Sequence, residues 1–193
     1  NSQLSNQVNA RGGCAIRFSR TDGDLSTADG VQKLWTWIML YEPLHIWVAP
    51  DCRLWGMFSR FNMGRGTSMF EKIQLERQQE RCHLQLCNDI YLHQVGLNRH
   101  FHLEQPHGSE MIDQPDLSDT KMGTLQATFD MCQVGKLRLP NHEKYLQKKT
   151  CVHTTSRSMF EGLHQRVCKG EHAHDHIKGK TKINGKIGRA SCR

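Results

Sequence analysis

The chain has 193 residues, 37% hydrophobic and 23% charged, which is the length and composition of one globular domain able to bury a core without disulfide staples. A formal net charge of +7, with twelve histidines counted as neutral, favours polyanionic partners and nucleic acid first. No apolar run approaches the ~20 residues a bilayer requires, so no membrane partner is expected.

From the amino end, "LSNQVNA" reads as the close of a helix and "GGCAIRFS", residues 12–19, as a strand bounded by glycines. "TDGDLST" is a turn in which Ser26 or Thr27 can cap the next helix, with Asp29 in capping-box position to Ser26. Leu34, Trp35, Ile38 and Tyr41 recur at helical spacing until Pro43. "LHIWVA" is a continuous apolar run, as expected of a strand covered on both faces. Residues 68–95 form a long helix closed by Gly96, and "HFHLE", residues 100–104, is the next strand. Alternating strands and helices predict a parallel sheet with right-handed crossovers. "TLQATFDM" and "TCVHTT" then predict a more antiparallel pair near the sheet edge, followed by a last helix "SRSMFEGLHQRV" and a basic tail from about Lys178.

Eight cysteines are scattered without a tight framework, which points to a reducing compartment and so to an intracellular protein. The run "CKGEHAHDH" places Cys168, His172 and His174 within seven residues, with His176 to spare, as soft and borderline ligands suited to zinc. The competing reading is a solvated histidine-rich loop.

Ligands of open α/β sheets bind beyond the carboxyl ends of the strands, where this chain carries Asp24, Cys52 and Glu104. Taken alone, Cys52 is equally a packed thiol, and Asp24 and Glu104 are ordinary turn and surface acids. The segment after Cys52 interleaves Trp55, Phe58 and Phe61 with Arg53, Arg60 and Arg65, which suits base stacking and phosphate contact, or else a loop folded back on the core.

"APDCRLWGMFS" resembles the nucleophile motif of the carbon-5 cytosine DNA methyltransferases. "HLEQP" is similar to that family's Glu-Asn-Val motif, "DGDLS" to its Gly-Asp-Leu turn, and "YLQKKTCVHTT" more loosely to its Gln-x-Arg-x-Arg strand, with Gln147 and Lys149 at the matching places. Divergent viral, mobile-element and marine microbial members, which carry a C-terminal Cys-x3-His-x-His, are similar over most of residues 10–180.

The resemblance implies a Rossmann-like class I methyltransferase sheet lacking its first strand, with a small zinc-stabilised C-terminal lobe. The expected divisions are 1–131 for the partial methyltransferase domain, 132–179 for the edge strand, helix and Cys/His knuckle, and 180–193 for a flexible basic tail. It implies S-adenosylmethionine as cofactor, contacted by Asp24 and Pro50. It implies a nucleic-acid partner, DNA ahead of RNA, met by Arg53, Trp55, Ser59, Arg60 and Lys149, and nuclear placement in a eukaryote. Cys52 would attack carbon 6 of a flipped cytosine while Glu104 holds the ring edge. For zinc, Cys132 would join Cys168, His172 and His174 as fourth ligand, with Cys151 the alternative. An upstream segment of a longer polypeptide is expected to supply the missing strand and its glycine-rich cofactor loop.

Three departures from the family pattern stand out. Asp51 occupies the place of a proline and sets a negative charge beside the thiol, which disfavours thiolate. Gln105 replaces asparagine, and the glycine-rich cofactor loop is absent. The other reading is a non-catalytic, zinc-containing nucleic-acid-binding or interaction module derived from the same fold.

Overall fold

The structure is a computed structural model, and it describes residues 3–135, 143–176, 180–183 and 186–189. Backbone contacts group the chain into residues 1–43 and 44–193.

The first group holds two helices, α1 (Gln3–Ala10) and α2 (Ala28–Tyr41). Residues 13–19 form no strand, which corrects the expectation for "GGCAIRFS". Instead Gly12, at φ 82°, and Gly13 wrap up the end of α1, with the Gly13 N–H on the Val8 carbonyl at 3.0 Å. Helix α2 begins at Thr27, not Ser26, because the Thr27 hydroxyl accepts the Gly30 N–H at 3.2 Å. Ser26 instead donates to Asp24 through both its backbone N–H and its hydroxyl. The helix ends at Glu42, in the left-handed region, ahead of Pro43. Phe18 meets Trp37 edge to face at 5.2 Å.

The second group begins with β1 (His45–Val48), α3 (Met57–Met63), the long α4 (Thr67–Gly96) and β2 (His100–Pro106). Next come α5 (Ser118–Met122), β3 (Leu125–Asp130), α6 (Met131–Val134), β4 (Tyr145–Gln147), β5 (Lys149–Thr154) and α7 (Arg157–Leu163). Strands β6 (His174–His176), β7 (Lys180–Ile183) and β8 (Lys186–Arg189) complete the chain, and β7 and β8 pair antiparallel within the basic tail.

The main sheet has the order β1-β2-β5-β3. Strand β1 runs parallel to β2, and β5 is antiparallel to both its neighbours. The last strand of this sheet in sequence is therefore inserted between two earlier strands that run the same way. The antiparallel expectation for residues 124–131 and 150–155 holds. The expectation of a doubly covered β1 does not: as an edge strand paired only with β2 among the described residues, it is exposed at His45 and half-buried from Ile46 to Val48.

Both faces of the main sheet are packed. One carries Ala127 and Phe129 of β3 and Val152 of β5, with Trp47 of β1 and Met159, Phe160 and Leu163 of α7 packed against them. On the other, Phe101 and Leu103 are fully buried and Tyr91 of α4 meets Phe101 edge to face at 5.7 Å. Burial on α4 is concentrated in its carboxyl half, at Leu84, Leu86, Cys87, Ile90, Tyr91 and Gln94. Its amino end leaves Met69 and Phe70 open to solvent. A smaller two-stranded sheet, β4 parallel to β6, stands beside α6.

Candidate functional site

Cys132, Cys168, His172 and His174 come together, their ligand atoms all within 4.8 Å of one another. The Cys168 Sγ lies 3.7 Å from His172 Nε2 and 3.5 Å from His174 Nε2, and His174 Nε2 lies 3.4 Å from Cys132 Sγ. A tetrahedral zinc ion with ordinary bond lengths of ~2.0–2.3 Å sets its ligands ~3.4–3.8 Å apart, so these three spacings are edges of such a tetrahedron. Four protein ligands leave no open position, which is the pattern of a structural site. The cluster could hold a metal ion such as zinc.

Local structure explains each position. Cys132 lies in α6, directly after β3, and is buried. Cys168 sits in a tight turn in which the Gly170 N–H points at its sulfur at 3.4 Å, with Gly170 at φ 82°. The Cys168 N–H donates to Asp130 Oδ2 at 2.8 Å, and the Asp130 N–H donates back to the Arg166 carbonyl at 2.9 Å. His174 is in register with Tyr145, whose ring meets His172 edge to face at 4.6 Å. Burial first, and then the Cys168 thiol and the Asp130 carboxylate, push the Cys132 thiol up to about 11. A bound cation would favour the Cys132 thiolate against that shift.

The alternative ligand Cys151 is elsewhere, buried in β5 with its sulfur 3.6 Å from His153 Nε2. The side chain of His176 lies outside the described residues.

At the carboxyl end of β1, Val48 is in register with Leu103, so the loop Ala49–Trp55 leaves the sheet beside Glu104, which continues within β2 opposite Val152 of β5. Pro50 is half-buried in that loop, and Cys52 is 6% exposed. Asp51 Oδ1 accepts the Arg53 N–H at 2.9 Å, so the carboxylate that replaces proline caps the turn holding the cysteine. The loop is tied to the segment after β2, where the Glu110 N–H donates to the Trp55 carbonyl at 2.9 Å. Arg77 of α4 reaches the Leu54 carbonyl and Glu110 at 3.0 Å each and lies 4.8 Å above the Trp55 ring. Arg60 binds the other oxygen of Glu110 at 3.2 Å.

The nucleic-acid candidates divide. Trp55, 2% exposed, and Ser59, 5% exposed, are buried here and present no stacking face or hydroxyl at the surface. Apolar packing of this loop outweighs display of its aromatics. Phe58 is 80% exposed and Phe61 66% exposed on α3, beside Arg60 and the exposed Arg65. Arg53 stands in solvent 3.9 Å from Glu76, and Lys149 is exposed on β5.

Glu104 has a partner that the sequence reading missed. Lys148 Nζ donates to Glu104 Oε1 at 3.1 Å, with both side chains largely buried. Lys148 adjoins the Lys149 singled out above, and neighbouring residues of an extended strand face opposite ways. Asp24 belongs to the first contact group, where the Ser26 hydroxyl and N–H hold its carboxyl below the usual range, and Arg20 stands 3.5 Å away. Its carboxylate is already engaged locally, and the described residues of 1–43 build no glycine-rich cradle, so they do not by themselves fit S-adenosylmethionine.

Comparison with protein-family models, with curated proteins and with solved structures returned no match. The described residues include no helix long and apolar enough to cross a membrane.

Proposed function

We propose that this chain is the core of a nucleic-acid-modifying domain of the carbon-5 cytosine methyltransferase type, braced by a structural zinc centre at its carboxyl side. One observation carries the reading: the Cys52 loop begins where β1 ends, and Glu104 is the next residue along the adjacent parallel strand β2, in a sheet whose last strand is inserted antiparallel. That is the arrangement the resemblance requires of its nucleophile and its ring-holding acid. The net charge of +7, and the exposed Phe58 and Phe61 beside arginines, support a nucleic-acid partner.

In this reading a cytosine leaves the stack, the Cys52 thiolate adds to ring carbon 6, and the electron pair passes to position 5 while Glu104 holds the ring edge. S-adenosylmethionine would supply the methyl group to carbon 5, after which loss of the carbon-5 proton would expel the Cys52 thiolate. Zinc on Cys132, Cys168, His172 and His174 takes no part in the chemistry.

The test separates the covalent step from methyl transfer. DNA carrying 5-azacytosine accepts thiolate addition without a methyl donor, because its ring nitrogen at position 5 takes the electron pair and then a proton. The protein is expected to form a denaturant-resistant adduct with this DNA that disappears in Cys52→Ala. Salt-sensitive binding that survives Cys52→Ala, with no adduct in either protein, would overturn the enzymatic reading in favour of a binding module.

A further inference from the structure

Lys148 is the single residue between β4, which belongs to the metal lobe, and β5, which belongs to the main sheet. Its backbone faces the lobe: its carbonyl accepts the N–H of Met131, the residue before Cys132, at 2.9 Å. Strand β4 is held in turn by β6, through the register of Tyr145 with His174 and the Tyr145 N–H on the Ala173 carbonyl at 3.3 Å. The Lys148 side chain crosses to Glu104, with its own exposure only 13%.

From this we infer that the metal centre is a positioning element for Glu104, acting through Lys148. The inference rests on the zinc reading and is independent of methyl transfer. A three-residue parallel pair such as β4 with β6 is too short to hold by itself. Ligands drawn onto one ion fix α6 and β6, hence β4, hence the backbone from which the Lys148 side chain reaches Glu104. Without the ion that backbone is released, and a long lysine side chain regains rotamer freedom that opposes the ion pair. Lys148 is thus a positioning residue, and metal loading governs how Glu104 is held.

The probe is amine acylation of the full chain by an N-hydroxysuccinimide acetate, localised by mass spectrometry, with the exposed Lys149 as internal reference. In the zinc-loaded protein Lys148 is expected to react at least ~10-fold more slowly than Lys149, the margin expected of a group released only by local opening. Chelation should bring the two rates together while the amides of Phe101 and Leu103 stay protected from exchange. Glu104→Gln should speed acylation of Lys148 with zinc still bound. Protection of Lys148 that persists after the metal is gone overturns the coupling.

Should the chelated chain unfold throughout, reciprocity supplies a second measurement. Lys148→Met should weaken zinc affinity about 5-fold or more in competition with a chromogenic chelator, and unchanged affinity overturns the coupling. A chain that takes up no stoichiometric zinc overturns the metal reading itself, and this inference with it, whatever the adduct experiment finds.

Discussion

The backbone N–H of Cys168 and the carboxylate of Asp130 are joined at 2.8 Å, so the residue at the end of β3 orients a ligand 38 positions later. Asp130 is 9% exposed and two residues from Cys132, which makes it the support of two ligands at once. Removing such a support costs roughly 10–100-fold in metal affinity at sites of this kind. Asp130→Ala is expected to fall in that range by chelator competition, and Asp130→Asn, which keeps an acceptor oxygen, to recover much of the loss. Equal affinities for wild type and Asp130→Ala would show that the turn around Cys168 holds itself.

Arg77 concentrates three contacts on the loop after Cys52: the Leu54 carbonyl, Glu110 and the Trp55 face. Arg77→Met should destabilise the protein by about 2–3 kcal/mol, the order expected for a largely buried charged donor whose partners lose it. It should also loosen the loop. Alkylation of Cys52 by iodoacetamide, slow in the wild type relative to the exposed Cys82, is expected to rise about 10-fold, equivalent to ~1.4 kcal/mol of easier local opening. An unchanged ratio would mean that Glu110 and Arg60 hold the loop without Arg77.

Two buried histidines set the response to acid. Burial, and then the neighbouring His45 and His100, bring His102 down to about 4, and burial brings His153 to about 4. Both lie below the ordinary 6.5, so the unfolded chain binds protons that the folded one does not. Stability is therefore full above pH 6.5 and is lost as pH falls from 6.5 towards 4, by about 3 kcal/mol for each histidine at most. Denaturant unfolding between pH 4.5 and 8 should show this slope, and His102→Gln should flatten part of it. A slope identical in wild type and variant would rule His102 out as its source.

Gly30 is buried in the first turn of α2, and a Cβ there would fall on the carbonyl of Asp24 and within 2.9 Å of its nitrogen. Backbone cannot yield as a side-chain tip can. Gly30→Ala should cost about 1–3 kcal/mol, as overpacking generally does, although alanine is the better helix former. Faster amide exchange at residues 31–34 is the expected sign, and a stabilised α2 would contradict the packing seen at that turn.

The knuckle was legible because Cys168, His172 and His174 lie within seven residues, a span over which a single turn fixes geometry. Cys132 was reached through resemblance, and only the fold separated it from Cys151. The two differ by which strand end meets the turn, a matter of topology. Helices α2 and α4 and strands β1, β2, β3 and β5 followed from hydrophobic period and stop signals, which act locally. Residues 13–19 did not follow, because an apolar stretch becomes a strand only where another strand offers its ladder.

Periodicity and motif spacing thus determined a mixed α/β class and the run of Cys168, His172 and His174, whereas Cys132 and the candidate roles of Cys52 and Glu104 were reached only through the resemblance. Tertiary structure decided the rest. It set β5 between β2 and β3, turned Trp55 and Ser59 inward, spent Asp51 on the Arg53 N–H, and paired Glu104 with Lys148. The physical reason is one of range. Periodicity and caps are written within a turn or two of chain, whereas the face a strand residue presents changes with every single residue and is settled only by what packs against it.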